Sequence, residues 1–352
     1  MNITNKIRIL CEEACEEFIW YKHIFNGLIK ELRKRRIAYE QINCIDHISA
    51  DDIVCVIGMS NDWIEKSIGC CNEADCVPIV LSNQSGCDVP GRFHLICSDI
   101  PYAVQKLKNV FADTGRTKIA LYGADYSVDF EKDRATILSS LVRETSDIYI
   151  NTGNLENCFL SFRSKAAFYD AVVCVNGYAA ISLVKRLEKE NKELLEKLVI
   201  VSCEEILKHS RYSQWISLID LNLESYGGAA LTIMEMISLG DVISSVVIKM
   251  KAEVCSIAEK EDSRCDVISR DAGYYEDPEI IHMAKIEQLL QDADDLDHHI
   301  IAMLLDNSTY AEIADTCYMT EGNIKYRVKK YMSVCECKTK KQLLELLQEY
   351  LQ

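Results

Sequence analysis

Over its first 222 residues the chain returns repeatedly to a short, unbroken apolar run followed by a stretch of helical spacing. The runs are IRIL (7–10), IVCVIG (53–58), VPIVLSN (77–83), FHLICSD (93–99), KIALYG (118–123), AVVCVNG (171–177), LVIVSC (198–203) and WISLIDLN (215–222). A strand that is apolar at nearly every position is buried on both faces, which happens where helices cover both sides of a parallel sheet. Between the runs, Phe18, Tyr21, Phe25, Leu28 and Leu32 recur at helical intervals over 17–36, and further helices are expected near 130–144, 178–190 and 224–238. The strand series pauses near residue 100, restarts at KIALYG and ends with WISLIDLN. The expected architecture is therefore α/β, with two lobes rather than one sheet, over residues 1–258.

The last sixty residues follow a different rule. In TYAEIADTCYMTEGNIKYRVKKYM (309–332), Thr309 and Glu312 have the spacing of a capping box, in which two side chains satisfy the free N–H groups at a helix start. Ile313, Ala314 and Cys317 give that helix one apolar face, Tyr318 and Met319 interrupt it, and Thr320 is placed to cap a second helix. In the second helix Ile324, Val328 and Tyr331 point inward at i, i+4 and i+7, leaving Asn323, Tyr326, Arg327 and Lys330 outward, flanked by Lys325 and Lys329. A short helix of this kind fits a DNA major groove.

Charge agrees. The chain carries a net charge of −16, yet residues 325–341 hold seven Lys or Arg against one acid, Glu336. Positive charge gathered in one segment of an acidic protein points to a polyanionic partner, and double-stranded DNA is the expected one. With 352 residues and 49% hydrophobic composition there is material for two or three domains. No apolar run approaches the roughly 18 residues a membrane helix needs, and the N-terminus is not a secretory signal. The 17 cysteines lack zinc-site spacing and several lie in strand-like runs, so buried thiols in a reducing cytoplasm are expected, with no metal and no cofactor.

The C-terminal residues resemble the LuxR-type helix-turn-helix. The matching positions are Thr309, Glu312-Ile313-Ala314, Thr320, and Asn323-Ile324-Lys325-Tyr326-Arg327, with Asn323 and Arg327 departing from the family's usual Thr and His. The resemblance implies a four-helix module over 292–352, with Ile300, Ile301 and Leu304 in its first helix. The last helix, QLLELLQEYL (342–351), would serve as a dimer contact. DNA-binding residues implied or read here are Thr309, Thr320, Asn323, Lys325, Tyr326, Arg327, Lys329 and Lys330. Residues 259–291 read as a polar linker, EKEDSRCDVISRDAGYYED, followed by an amphipathic connecting helix begun by Asp277-Pro278. The acidic and His-containing stretch Asp292, Asp294, Asp295, Asp297, His298, His299 reads as a solvated helix start rather than a metal site.

The front part resembles the LacI/GalR-type sensor domain, which is periplasmic-binding-protein-like. The resemblance is carried, in order, by VPIVLSN, SDIPYAVQKLKNVFADTGRTKIALYGAD, EKDRATILSSL, DAVVCVNGYAAISLVKRL, VIVSCEE and SLIDLNLESYGGAALTIME. It implies a two-lobed sensor of the type I class followed by a small all-α DNA-binding domain, and a small-molecule effector, sugar-like in the family, held between the lobes. Ligands in such sheets sit beyond the carboxyl ends of the strands. That rule selects Glu12 and Phe18 after the first strand, Ser60 and Trp63 after IVCVIG, and Asp99 and Tyr102 at the first crossing. In the second lobe it selects Asp125, Tyr126, Arg134, Asn176, Glu204 and Asp220. Arg134 matches the family's ligand-binding arginine, while Gly177 and Glu204 stand where the family has Asp.

The function expected is a bacterial transcriptional regulator, a homodimer that binds DNA under effector control. Two alternatives stay open. One is a response regulator with an atypical receiver, suggested by RILCEEA, although no aspartate ends IVCVIGMS. The other is a regulator whose degenerate cleft serves protein–protein interaction. No Gly-x-Ser-x-Gly, phosphate loop or His-Glu-x-x-His is present, so an enzyme is not expected.

Overall fold

The computed structural model describes residues 6–15, 18–44, 48–50, 52–127, 129–203, 210–238, 243–256 and 277–352. Each expected apolar run forms a strand, and two lobes result. Lobe one holds β1 (Ile7–Cys11), α1 (Ile19–Lys34), β2 (Tyr39–Ile42), β3 (Ile53–Ile57), α2 (Asn61–Glu73), β4 (Val77–Leu81) and β5 (His94–Asp99). The chain then crosses to lobe two, with α3 (Ile100–Asp113), β6 (Ile119–Ala124), α4 (Asp129–Leu138), β7 (Ile148–Ile150), α5 (Leu155–Arg163) and β8 (Ala171–Cys174). Lobe two continues with α6 (Gly177–Glu190), α7 (Lys192–Leu195), β9 (Val199–Ser202) and β10 (Ile216–Asp220).

The strand series does not end there, as the sequence reading expected. The chain returns to lobe one with α8 (Tyr226–Ile237) and β11 (Val247–Lys251), then enters lobe two again as β12 (Glu253–Ser256). β11 pairs parallel with β5, and β12 pairs antiparallel with β10, with buried Ala252 between them. Both are sheet edges, and β11 escapes an apolar-run criterion because only its alternate positions are covered. In VIKMK the outward residues are exposed and Ile248 and Met250 pack on the lobe-one core.

The two sheets are built alike. Their orders are β2-β1-β3-β4-β5-β11 and β7-β6-β8-β9-β10-β12, parallel throughout except for β12. Each is a doubly wound sheet with its switch point beside its first strand. Among the described residues three crossings join the lobes, after β5, after β10 and between β11 and β12. A receiver has a single sheet of this order, so two interleaved lobes are a different architecture. Helix α1 meets α8 through glycine: a β-carbon on Gly227 would lie 2.1 Å from the carbonyl oxygen of Gly27. Only bare backbone lets these two helices approach so closely on one face of lobe one.

Beyond residue 276 five helices follow: α9 (Pro278–Asp292), α10 (Asp295–Leu305), α11 (Tyr310–Thr316), α12 (Glu321–Val334) and α13 (Lys340–Leu351). Their apolar stripes share one core, with Ile280, Met283, Ile300, Leu304, Ile313, Ile324, Val328, Tyr331, Leu343 and Leu347 all buried. The same core continues into lobe two through α5 and α6. The acidic stretch 292–299 is a helix start: Asp294 caps α10 and forms a capping box with Asp297. The polar linker read at 259–276 lies outside the described residues. No helix among the described residues is long and apolar enough to cross a membrane.

Candidate effector cleft and nucleic-acid interface

The carboxyl ends of both sheets face each other, and the lobes touch there through α4. Asp129 and Asp133 of α4 accept hydrogen bonds from lobe-one backbone N–H groups, Asn61 at 3.2 Å and Ser85 at 2.9 Å. Between them Phe130 enters the core of lobe one. Its ring centroid lies 5.8 Å from that of Phe18, edge-on, and 6.0 Å from that of Trp20. Edge-on aromatic contacts of this kind add to the burial they accompany. A polar loop after β4, Ser82 to Ser85, is buried at the same junction, and the Tyr226 hydroxyl sits 2.8 Å from Ser98 Oγ.

Most of the side chains read as ligand groups are employed by the fold. The Glu12 carboxylate accepts from the backbone N–H of Met59 at 2.7 Å and of Ser60 at 3.1 Å. Ser60, Asp99 and Asn176 are N-caps of α2, α3 and α6, accepting from Trp63, Tyr102 and Ala179 respectively. Asn176 also donates to Glu131 Oε1 at 2.8 Å, joining two wholly enclosed residues of lobe two. Arg134 is fully buried, donates to the carbonyl of Val175 at 3.0 Å and lies 5.7 Å from the Phe130 ring centroid. Asp125 turns back on Ser127, and Asp220 accepts from Asn222, a left-handed residue. Phe18 is core, Trp63 packs over Gly58, and Tyr102 and Tyr126 are partly in water, Tyr102 beneath the Lys106 ammonium. Glu204 lies outside the described residues. Sequence reading missed Asp129, Phe130 and Asp133 as lobe contacts, and Tyr226 as the lobe-one hydroxyl beside Ser98. An amphipathic helix start shows which residues leave the helix, and nothing in it shows which strand ends they meet.

At the other end of the chain the two-helix unit forms as expected. Thr309 caps α11 in a reciprocal capping box with Glu312, and Thr320 caps α12, its hydroxyl accepting from Asn323 N–H at 3.3 Å. Ile324, Val328 and Tyr331 are buried, while Asn323, Lys325, Tyr326, Lys329 and Lys330 are exposed. Lys325 pairs with Glu321 one turn back, at 2.9 Å. Arg327 is occupied differently. It bridges Asp294 at 3.2 Å and Asp297, whose side chain also accepts from the Tyr331 hydroxyl, so it ties α12 to the start of α10. Hydrogen bonds to these carboxylates raise the Arg327 pKa further, and burial raises that of Tyr331. The apolar stripe of α13, read as a dimer contact, is covered within the chain: Leu343, Leu346, Leu347 and Tyr350 are buried.

The helical unit is fixed to lobe two at several points. Asp277 caps α9, accepting from Glu279 N–H at 2.9 Å, and also accepts from Leu155 N–H at the start of α5 at 2.7 Å. Glu279 takes hydrogen bonds from Ser182 at 3.0 Å, Lys185 at 2.9 Å and Arg186 at 2.6 Å, all on α6. At the far end, the Tyr350 carbonyl accepts from Ser210 Oγ at 2.6 Å and from Arg211 N–H at 3.2 Å. Lobe one reaches the same unit through Lys22 of α1, buried, which donates to Gln291 of α9 at 3.3 Å. Asp292 beside it carries a raised pKa because burial outweighs the nearby Lys22 and Lys330.

No family model and no curated protein matches the sequence. Solved structures share the fold. GanP, a glucose-galactose binding protein from Geobacillus stearothermophilus, matches with a TM-score of 0.55 and 14% identity, over 72% of this chain and 98% of that one. A LacI transcriptional regulator from Lactobacillus brevis gives 0.55 and 10%, over 71% and 100%. A LacI family transcription regulator from Clostridium acetobutylicum gives 0.53 and 13%, over 71% and 98%. At these identities the likeness is one of fold, and the two-lobed part has the type I periplasmic-binding-protein-like architecture.

Proposed function

We propose that this chain is a DNA-binding transcriptional regulator in which the two-lobed part governs how a C-terminal helix-turn-helix of LuxR type is held. One observation carries the reading. Helix α12 buries Ile324, Val328 and Tyr331 and turns Asn323, Tyr326, Lys329 and Lys330 to water, behind a capped α11 that can brace it against a duplex. Such a regulator works where the chromosome is, in the cytoplasm. As a homodimer it sets two α12 helices roughly 34 Å apart, one DNA turn.

The same reading makes α9 the coupling element. Its N-terminal end is clamped to lobe two by Glu279, its C-terminal end touches lobe one through Lys22 and Gln291, and Asp292 there neighbours Lys330 of α12. A change in the angle between the lobes strains one end of α9 against the other, and α12 packs directly on it. The effector class to try first is a sugar, since proteins of this fold include a glucose-galactose binder and a regulator in complex with cellobiose.

A second reading has its own support. Phe130 and the two aspartates beside it seal the lobes with contacts from the chain itself, and Glu12, Ser60, Asp99, Asn176 and Asp220 already serve local turns and caps. On this reading the two-lobed part stays shut and its surface meets another protein. Thermal shift of the full chain against a sugar panel separates the two: a rise in melting temperature supports the effector, and no response to any sugar supports the sealed form.

The DNA reading is tested by Lys329→Glu with Lys330→Glu, two exposed residues outside the core. Binding to duplex DNA, followed by fluorescence anisotropy over a range of salt, is expected to weaken, with the slope of log affinity against log salt falling by about 2. An unchanged slope and affinity would refute the reading. Arg327 is unsuited to this test because its ion pairs belong to the fold.

A further inference from the structure

Two tyrosines of the helical unit stand apart from its packing. Tyr318 is 97% exposed and Tyr326 74%, more than any other large apolar side chain among the described residues. Tyr326 lies on the outward face of α12, one turn from Asn323 and next to Lys330. Tyr318 lies in the turn before α12, two residues ahead of the cap Thr320.

The conformation of Tyr318 makes its identity informative. It closes α11 in the left-handed region, φ 55°, while Met319 N–H donates to the Ala314 carbonyl at 2.9 Å. Glycine is the usual residue there, because a β-carbon is disfavoured at that backbone angle. Arg36, Asp75, Asn307 and Glu336 hold the same conformation after other helices of this chain, and all four are polar. Among the described residues only this turn presents an aromatic ring, and it presents it to water, where no burial offsets the unfavourable angle. The fold buries almost none of the ring, which leaves it accessible to a partner outside the chain.

We propose that Tyr318 is a base-reading contact for duplex DNA, acting from the turn rather than from the recognition helix, with Tyr326 as its partner on α12. This rests on the DNA-binding reading above. The neighbouring exposed Lys329 and Lys330 supply the attraction to phosphate, and the apolar face of a tyrosine suits the one apolar group in the major groove, the thymine methyl. The partner is a duplex in which a thymine flanks the bases met by Asn323 and Tyr326.

The experiment selects bound duplexes from a random library with the full wild-type chain, then measures affinity and thermal unfolding for Tyr318→Gly. Glycine suits the left-handed angle, so the variant is expected to unfold at the same or a higher temperature. Its affinity for the selected duplex is expected to fall about tenfold. Replacing the flanking thymine with deoxyuridine, which removes only the methyl, is expected to weaken the wild type and leave Tyr318→Gly unaffected. Equal affinity of Tyr318→Gly, or equal sensitivity of both proteins to deoxyuridine, overturns the proposal. If Lys329→Glu with Lys330→Glu loses binding while Tyr318→Gly keeps it, the tyrosine assignment alone fails. If the wild type enriches no duplex, the DNA reading fails and takes this proposal with it.

Discussion

Replacing Glu279 by Gln should loosen the helical unit from lobe two. The carboxylate is 12% exposed and faces Lys185 and Arg186, themselves 24% and 17% exposed. The substitution keeps the shape and removes the charge, leaving two cations turned toward a neutral amide. Breaking a fully buried pair costs about 3–5 kcal/mol, and an exposed pair contributes about 0–1 kcal/mol. This cluster lies near the buried end, so a loss of about 3 kcal/mol is expected, read as a lower urea midpoint at neutral pH. The acid limb gives a second reading. Burial opposes ionisation of Glu279, but Lys185 and Arg186 outweigh it and hold the carboxyl below its ordinary 4.5. A carboxyl lowered by folding stabilises the folded form fully above that ordinary value, and the contribution disappears as pH falls through the lower, folded value. Wild type should therefore lose stability below about pH 4.5 more steeply than Glu279→Gln. A loss under about 1 kcal/mol, or acid limbs that coincide, would refute the clamp.

Two further outcomes follow from the same packing. Phe130→Ala empties the seat between Phe18 and Trp20, and a loss of about 3–5 kcal/mol with a change in tryptophan emission is expected; a loss below about 1 kcal/mol would show that the ring does not hold the lobes together. Arg327→Lys keeps the charge but cannot span Asp294 and Asp297 together, so amide hydrogens of α10 and α12 should exchange faster, by the equivalent of about 1–2 kcal/mol. Unaltered protection would mean the bridge is not structural.

The strands and helices were legible because burial on both faces leaves an unmistakable apolar run, as in IVCVI, where all five residues of β3 are buried. The two-helix unit was legible because capping is local: Thr309 and Glu312 find each other across three residues. The edge strand β11 was hidden because a half-covered strand shares its pattern with loops, and the four-residue β12, EVCS, holds no apolar run. The cleft was harder for a different reason. Ser60, Asp99 and Asn176 stand at strand ends where a ligand group and a helix cap demand the same chemistry, a side-chain oxygen aimed past the strand. Local sequence cannot tell these uses apart. Asp277 shows the same ambiguity at long range: its cap on α9 was readable, whereas its bond to Leu155, 122 residues away, was not.

The interior that starts beneath strand β6 runs without a seam through α6 and α9 to Tyr350 near the end of the chain. Cutting the protein after β12 would therefore strip α9 and α13 from α6 and bare Tyr212, whose ring meets that of Tyr350 edge-on. The front and back of the molecule should melt as one block on that side, and a denaturant should find no stage at which the tail is free while lobe two stands intact. Lobe one, whose core meets the rest through only a few side chains, the Phe130 ring it borrows, Ile19 and Leu223 among them, is the piece left at liberty to rock.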